Sequence, residues 1–267
     1  MPSGIVIIDK PAGWTSMDVC AKMRGILREK RVGHGGTLDP MATGVLPVFV
    51  GQATRAVEFA ENGEKEYVAG LRLGVVTDTQ DTTGEILETR PVTVDREALA
   101  ALLPRFTGPI EQVPPMYSAI KIGGQKLYEL ARKGREVERK PRSITIFELE
   151  LVSETDYLLR CRCSKGTYLR TLCHDIGQAL GCGGAMYSLR RTMAAGFTLA
   201  EAVSLEAVQA QGAALLRPAD SLFAAYPAYR LTSAGKEKRV RNGNPITAEV
   251  PEGTYRVYGA NGEFLCL

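Results

Sequence analysis

The 267-residue sequence holds only two histidines, His34 and His174, and its six cysteines are scattered without a CxxC pair. Structural zinc sites need His and Cys ligands at short fixed spacings, so we predict that no metal is bound. The scattered cysteines are predicted to stay reduced and to serve as small apolar residues. The sequence also contains no GxxxxGK[ST], no complete GxGxxG and no GxSxG. These absences count against nucleotide-binding enzymes and serine hydrolases.

Long apolar runs are missing too. No segment approaches the length of a membrane-spanning helix, and the first residues, MPSGIVIIDKPAGW, lack the flanks of a signal peptide. We therefore expect a cytoplasmic protein that does not associate with membranes. The length suits one large domain or a large domain with a small appendage.

A strong net charge is also lacking, since the formal value is +3 and the pI is about 8.5. Such a balance does not by itself indicate a nucleic-acid partner. The charge is unevenly distributed, however, because residues 121–142 hold eight Lys or Arg against three Glu. A charged run is usually a solvated surface, but this one also has the character of a phosphate-binding element.

One glycine-rich stretch, residues 31–51, reads RVGHGGTLDPMATGVLPVFVG. Its glycines allow tight turns or close backbone approach, and the Asp39-Pro40 step holds Asp39 out of helical geometry. The apolar run that follows, closed by Gly51, predicts a strand buried on both faces. A carboxylate on a stiff loop against the core is a candidate catalytic group. The alternative is an Asp that merely caps the turn.

Apolar patterns elsewhere predict a mixture of strands and helices. Strands are predicted over residues 5–8, 45–50, 66–74, 143–152 and 157–163. Helices are predicted over residues 16–29, with a capping box at Thr15 and Asp18, over 95–106 and 125–133, and after Tyr168. The two strands around residues 153–156 predict an antiparallel hairpin. Beyond Pro218 only short strands and turns are expected, in PAYRL, NGNPI, GTYRVYG and EFLCL.

The string GHGGTLDPMATGVLPV resembles the catalytic motif of the TruB family, the bacterial tRNA pseudouridine-55 synthases, whose pattern is close to GHxGxLDPxATGxLP. Similar strings follow in the family's order: IIDKPAGWTSMDV, EYVAGLRLGVVTDTQDTTGEI, QVPPMYSAIKIGGQKLYELARKG, CSKGTYLRTLCHDIGQALGCG and SLRRT. The resemblance covers most of the chain and thins after about Pro218. It implies an α+β pseudouridine-synthase core with a largely antiparallel mixed sheet flanked by helices.

The resemblance also implies a domain organisation. Residues 1–226 would form the catalytic domain, with an RNA-clasping insertion at about 121–142. Residues 227–267 would form a small C-terminal β domain of PUA type, shorter than in some relatives. Its contribution to RNA binding is left open.

By resemblance, Asp39 is the catalytic residue and Arg170 its partner. An ionised carboxylate in a dry pocket takes up a proton unless a cation accompanies it, which gives this pairing a physical reason. Tyr67 would stack on the target uracil, and Tyr168 and Leu189 would shape its pocket. Further residues carried over from the family are His34, which would fill the place of the extruded base, and Lys10, Asp81, Lys126, Arg132 and Lys133.

The implied activity is the isomerisation of uridine 55 in the T loop of tRNA to pseudouridine. The reaction breaks a C–N glycosidic bond and re-forms a C–C bond, so it needs a nucleophile or base but no cofactor. Whether Asp39 attacks the uracil ring or the ribose, or removes a sugar proton, is left open by the residues. We expect a monomer without an obligate protein partner. The alternatives are a catalytically inactive RNA-binding module and a guide-RNA-dependent relative.

Overall fold

A computed structural model of the chain describes residues 1–153 and 155–267. The strands are β1 (Gly4–Lys10), β2 (Val32–His34), β3 (Thr43–Val50), β4 (Lys65–Leu73), β5 (Val75–Thr77), β6 (Ile86–Thr89), β7 (Gly108–Gln112), β8 (Lys121–Ile122), β9 (Gln125–Lys126), β10 (Arg142–Leu151), β11 (Leu158–Cys163), β12 (Gly184–Ala194), β13 (Phe197–Thr198), β14 (Ala228–Arg230), β15 (Arg256–Tyr258) and β16 (Phe264–Cys266). The α-helices are α1 (Ser16–Leu27), α2 (Val57–Asn62), α3 (Arg96–Leu102), α4 (Leu127–Ala131), α5 (Leu169–Ala179), α6 (Leu205–Gln211) and α7 (Ala234–Arg241). Within the described residues, no helix is both long and apolar enough to span a membrane.

The centre of the molecule is a nine-stranded sheet with the order β1-β3-β12-β4-β11-β10-β7, to which β2 and β13 are added at the side. Neighbours along this order are antiparallel except β3 and β12, which are parallel. The predicted α+β class with a largely antiparallel mixed sheet is therefore confirmed. The short parallel pairing joins the strand after the glycine-rich stretch to the middle of the sheet.

Both faces of the sheet are covered, which explains the continuous apolar runs of its first strands. In β1, Val6 and Ile8 belong to the large core under α1 and α5, whereas Ile5 and Ile7 belong to a smaller core on the opposite face. The run in β3 is likewise divided between the two cores, as predicted for a strand buried on both sides.

Two glycines allow the close approaches that position the site. A Cβ on Gly44 would lie 2.2 Å from the carbonyl oxygen of Arg191, so β3 and β12 meet only because Gly44 has no side chain. A Cβ on Gly177 would lie 2.1 Å from the backbone nitrogen of Gly184. The end of helix α5 therefore packs directly onto the beginning of β12.

Most predicted elements are present. The capping box of α1 forms as expected, since the Thr15 side chain accepts a hydrogen bond from the backbone N–H of Asp18 and the Asp18 carboxylate accepts one from the backbone N–H of Thr15. The helix predicted at 95–106 is α3, continued by a 3-10 turn at Leu103–Phe106. Strands β10 and β11 pair antiparallel as predicted. The turn between them includes residue 154, which lies outside the described residues.

Two predictions were wrong. The helix expected at 125–133 is only α4, because Gly123 and Gly124, both with positive φ, close a hairpin between β8 and β9 first. Beyond Pro218 the chain forms a helix, α7, besides short strands, and NGNPI is irregular. The α7 segment AGKEKRVR carries little apolar periodicity and is supported by an ion pair of 2.8 Å between Glu237 and Arg241.

The C-terminal strands form a separate three-stranded sheet in the order β14-β15-β16. A chain of aromatic contacts connects it with α2: the ring centroids of Phe59 and Phe223 are 5.1 Å apart, those of Phe223 and Phe264 6.0 Å, and those of Phe264 and Tyr258 5.9 Å. The C-terminal segment is thus packed against the body of the protein beside the smaller core.

Candidate active site

Asp39 lies on the turn between β2 and β3, and this turn is held along its length. The backbone N–H of Leu38 donates to the hydroxyl of buried Ser16 (2.9 Å), and the backbone N–H of Gly13 donates to the carbonyl of Pro40 (2.8 Å). The N–H of Ala42 closes the turn by donating to the carbonyl of Asp39 itself (3.0 Å). Asp39 is therefore presented by a fixed backbone, as expected from the sequence.

Arg170 meets the Asp39 carboxylate from the first turn of α5. Its Nε lies 2.9 Å from Oδ2 of Asp39, and its Nη2 lies 3.5 Å from Oδ1. The two side chains differ in access, because 36% of the Asp39 side chain is exposed but only 6% of the Arg170 side chain. The structure thus brings the pair together with the carboxylate on the solvent side, where a substrate can reach it.

The remaining donors of Arg170 are satisfied from other loops. Its Nη1 donates to the carbonyl of Thr79 (3.1 Å) and lies 3.8 Å from the carboxylate of Asp81, and its Nη2 donates to the carbonyl of Tyr117 (2.8 Å). Asp81 is buried and accepts hydrogen bonds from the side chain of Thr79 and from Thr83. A buried guanidinium with this many acceptors cannot reorient easily, so the Asp39 carboxylate has a stiff partner.

Lys10 is fully buried at the end of β1 and donates to three carbonyls, those of Pro11 (2.8 Å), Trp14 (2.6 Å) and Pro40 (3.3 Å). Burial lowers the pKa of Lys10 to about 8, and the nearby Asp39 carboxylate acts in the opposite direction. The structure therefore places Lys10 against the Asp39 turn, where it connects the N-terminal loop with the residue after Asp39.

Tyr67 and Leu189 lie on the adjacent central strands β4 and β12. Tyr67 pairs across the ladder with Arg191, and Leu189 pairs with Ala69, two residues further along β4. Both side chains are buried, with 8% and 9% exposed. Burial raises the pKa of Tyr67, so its phenol is uncharged. The two side chains are thus neighbours in the middle of the sheet.

Tyr168 immediately precedes α5 and is half-buried. Its backbone is fixed by buried Gln112, whose side chain accepts a hydrogen bond from the Tyr168 N–H (2.8 Å) and donates one to the Tyr168 carbonyl (3.1 Å). Burial raises the pKa of Tyr168, and the charges of Arg170 and Asp39 both act on its phenol. Tyr168 is therefore close to the carboxylate and guanidinium.

His34 ends β2 five residues before Asp39 and is half-buried. Among the described residues, none forms a hydrogen bond with its buried Nδ1. Burial lowers the pKa of His34, and the positive charge of Arg191 lowers it further, so the imidazole is neutral at pH 7. A neutral flat ring is suited to stacking.

The basic segment, residues 121–142, begins close to the Arg170 side chain. Arg170 donates a hydrogen bond to the carbonyl of Tyr117, which shortly precedes the segment. Lys126 and Arg132 stand over the ring of Tyr128, at 5.4 and 5.3 Å from its centroid. Lys133, the next residue, is exposed. One aromatic ring therefore brings two of the three cations, Lys126 and Arg132, together.

Sequence reasoning missed Arg191. It follows Leu189 in the string SLRRT, and its side chain is 1% exposed. Its guanidinium donates to the carbonyls of Val45 (2.7 Å), Gly36 (3.1 Å) and Thr37 (3.4 Å), and its positive charge acts on the pKa of the Tyr67 phenol. The sequence carries little signal for this position, because Arg191 stands between Arg190 and Thr192 and could equally lie on a solvated strand.

The described residues contain no group of three His, Cys, Asp or Glu side chains spaced to hold a metal ion. Two cavities, of about 460 and 740 Å³, lie beside Tyr187 and beside Phe264, and neither includes Asp39. The Asp39 carboxylate lies on the solvent side of its pair with Arg170, with 36% of its side chain exposed.

An α+β core with a mostly antiparallel mixed sheet, and a partly exposed Asp paired with a buried Arg, is the arrangement that the resemblance to pseudouridine synthases implies. The chain matches the N-terminal domain of TruB family pseudouridylate synthases over residues 24–169 and the tRNA pseudouridylate synthase B C-terminal domain over residues 170–224. The chain belongs to the TruB family.

Relatives and solved structures agree with this assignment. The chain is 46% identical to tRNA pseudouridine synthase B of Stutzerimonas stutzeri, over 98% of this chain and 90% of that one. It is 43% identical to tRNA pseudouridine synthase B of Clostridium kluyveri, over 98% and 93%. A chain in the crystal structure of a Cbf5-Nop10-Gar1 complex is 27% identical, with a TM-score of 0.74 over 98% of this chain and 76% of that chain.

Proposed function

We propose that this protein isomerises uridine 55 in the T loop of tRNA to pseudouridine, with Asp39 as its catalytic residue. The relatives that it resembles over nearly their full length are tRNA pseudouridine synthases. The observation that carries the assignment of Asp39 is its ion pair with buried Arg170 at the solvent-accessible end of a fixed turn.

The reaction requires that the uracil is detached from the ribose, rotated and reattached through another ring atom. The bond from N1 of uracil to C1′ of ribose breaks, the bond from C5 to C1′ forms, C5 loses a proton and N1 gains one. No electrons are gained or lost overall, so a carboxylate acting as nucleophile or base is sufficient. Arg170 supports this role because a guanidinium in direct contact favours the ionised carboxylate.

The neighbouring side chains supply the rest of the site. Tyr67 offers an uncharged aromatic face for the uracil ring, and Leu189 and Tyr168 close the pocket around the ring and exclude water. His34 takes the place of the extruded nucleotide in the RNA stack. Asp81 acts through Arg170, and Lys10 acts through the backbone of Pro40.

We assign tRNA binding to the basic segment, with Lys126, Arg132 and Lys133 facing phosphates. The T-stem loop would lie between this segment and the Asp39 turn. We also propose a domain boundary near residue 226. In support, β12 is embedded in the central sheet whereas β14, β15 and β16 form a sheet of their own. The proposed enzyme acts as a cytoplasmic monomer without a cofactor or an obligate protein partner.

The function is tested by incubating the purified chain with an unmodified tRNA transcript and mapping pseudouridine along the RNA. Pseudouridine at position 55, formed without any guide RNA or added protein, is the expected result. Product that appears only with a guide RNA would indicate the guide-dependent alternative. Tight tRNA binding without any product would indicate an inactive RNA-binding module. Either outcome would overturn the proposal.

A further inference from the structure

Arg191 is the largest of the fully buried side chains, and it lies on the central strand of the sheet. Taking a guanidinium out of water costs several kcal/mol unless good hydrogen bonds replace the lost hydration. An apolar side chain would fill the same position without that cost. We therefore explain the charge at this position by the groups to which the guanidinium donates hydrogen bonds.

The groups that Arg191 holds belong to the two sides of the site. On one side it donates to the carbonyls of Gly36 and Thr37, in the turn shortly before Asp39, and to that of Val45 in β3, after the turn. On the other side its backbone pairs with that of Tyr67 in β4, and its positive charge acts on the pKa of the Tyr67 phenol. One residue thus links the turn that carries the carboxylate with the strand that carries the ring proposed to stack on uracil.

The backbone of Arg191 occupies the same junction. It pairs with Gly44 of β3 in parallel and with Tyr67 of β4 in antiparallel register. The missing side chain of Gly44 lets β3 approach its carbonyl. Backbone and side chain therefore fix the same pair of strands, and a shift of the Asp39 turn relative to Tyr67 would require breaking several of these contacts together.

We infer that Arg191 is a positioning residue for the isomerisation, which sets the distance between the Asp39 carboxylate and a uracil ring stacked on Tyr67. This inference rests on the proposed function. Arg170 and Arg191 have separate tasks: Arg170 partners the carboxylate itself, and Arg191 fixes the backbone on which the carboxylate is mounted. Misplacing a reacting group by about 1 Å can lower a rate by roughly 100-fold.

The test compares Arg191→Lys with the matched control Arg190→Lys. Lysine keeps the positive charge but has a single nitrogen, so it cannot bond Val45, Gly36 and Thr37 together. Arg190 is the adjacent residue, pairs with Asp9 at 2.9 Å and is 43% exposed. At saturating tRNA, the single-turnover rate of Arg191→Lys should fall at least ~30-fold while tRNA affinity changes less than about threefold. Arg190→Lys should stay within about twofold of wild type in both quantities.

Hydrogen exchange gives a readout that does not depend on activity. Backbone amides of residues 35–42 should exchange faster in Arg191→Lys than in wild type, whereas those of α5, which carries Arg170, should not change. A rate within about threefold of wild type, or a lowered rate with unchanged exchange at residues 35–42, would overturn the inference. Absence of pseudouridine with wild type and Arg190→Lys would instead contradict the proposed function and leave the exchange experiment to decide on Arg191.

A second variant covers the case in which Arg191→Lys does not fold. Tyr67→Phe removes only the hydroxyl, on whose pKa the charge of Arg191 acts, and keeps the aromatic face. Its rate should fall at least ~10-fold with tRNA affinity unchanged, and the double variant with Arg191→Lys, where it folds, should lose less than the product of the two single losses. A Tyr67→Phe rate equal to wild type, or losses that multiply fully, would show that Arg191 does not act through Tyr67.

Discussion

At the scale of single residues, the site depends on groups that are far apart in the sequence. Asp39 and Arg170 are separated by 131 positions yet lie in direct contact. The exposed carboxylate has a partner that is buried and bonded to the carbonyls of two further loops. The Asp39 carboxylate thus has a partner that is both charged and held in place. Changes to single side chains of this pair should therefore lower the reaction rate more than the affinity for tRNA.

Asp39→Asn keeps the size and most hydrogen-bonding capacity of the side chain but removes the charge and the nucleophilic or basic oxygen. Product formation should fall below detection, while tRNA affinity should change by less than about tenfold, roughly 1.4 kcal/mol. Single-turnover assays and filter binding measure the two quantities. Substantial turnover, once mass spectrometry has excluded deamidation back to Asp, would show that another group carries the reaction.

His34→Ala should weaken engagement of tRNA more than bond breaking, because a stacked ring contributes about 1–3 kcal/mol per base. We expect tRNA affinity to fall roughly tenfold, with measurable activity left at saturating RNA. Since burial lowers the pKa of His34 below its usual 6.5, the difference in affinity between wild type and variant should not change between pH 7 and pH 8. His174→Ala replaces the other histidine and is the control. Equal affinities of His34→Ala and wild type would rule out the stacking role.

At the scale of elements, the turn that carries Asp39 is held by three different parts of the chain. The N-terminal loop reaches it through Lys10, Gly13 and Ser16, α5 reaches its carboxylate, and β12 reaches its backbone through Arg191. The basic segment, in contrast, is a short hairpin and a single turn of helix whose cations project from the surface. The turn is thus held in place from several sides, whereas most of the charged side chains of the basic segment are exposed.

Lys10 gives the turn a specific pH dependence of stability. Its pKa is about 8 in the folded protein, below the ordinary 10.5, so between these values the unfolded chain binds more protons than the folded one. The contribution of Lys10 to stability therefore rises as pH increases from 8 to 10.5. Urea unfolding at pH 7.5 and pH 10 should show the free energy of unfolding of wild type increasing relative to that of Lys10→Met. Lys22→Met, on the exposed face of α1, should show no such change, and a pH-independent difference for Lys10→Met would contradict the argument.

The basic segment should account for much of the salt dependence of tRNA binding. Replacing Lys126, Arg132 and Lys133 together by Ala should weaken binding and reduce the slope of log affinity against log salt by about 0.7–0.9 for each lost phosphate contact. The matched control removes the same three charges outside the segment, at Arg96, Arg105 and Arg160. An equal change of slope in both triple variants would indicate a general charge effect.

At the scale of the whole molecule, the site lies where the two halves of the sheet are joined by the parallel pairing of β3 and β12. The Asp39 turn, the tyrosine of β4 and the helix with Arg170 all meet at this junction. The basic segment begins next to the same junction, where the carbonyl of Tyr117 accepts a hydrogen bond from Arg170. The arrangement suits a folded RNA loop that is gripped from the outside while one base enters the sheet.

A short hairpin with the sequence of the T arm should therefore be a substrate, because the local fold and its unstacked bases supply the contacts. An unstructured strand that carries the same loop sequence should react at least ~10-fold more slowly, since it must be ordered on the enzyme first. Pseudouridine yield over time from both RNAs checks this. Equal rates would show that the enzyme does not recognise the shape of the loop.

Elements with local signals could be predicted from the residues alone. Continuous apolar runs specified β1 and β3, the capping box specified the start of α1, and the pattern around Asp39-Pro40 indicated a turn that presents its carboxylate. The long contiguous match to the TruB motif also fixed the family. These features depend on neighbouring residues only, so they can be read before the fold is known. The helix predicted at 125–133 failed because the two glycines before it favoured a hairpin, and α7 was missed because its charged residues give no apolar stripe.

Contacts between distant groups, in contrast, depend on how the elements pack in three dimensions. That Arg170 bonds the carbonyls of Thr79 and Tyr117, and that Lys10 reaches Pro40, follows from how α5 and β1 pack against the loops. Arg191 is the clearest case, since a strand arginine next to another arginine is equally compatible with a solvated edge. Its burial arises because β12 is placed between β3 and β4, a pairing between segments far apart in the chain. Contacts of this kind depend on the closure of the whole sheet, and no local pattern of residues encodes them.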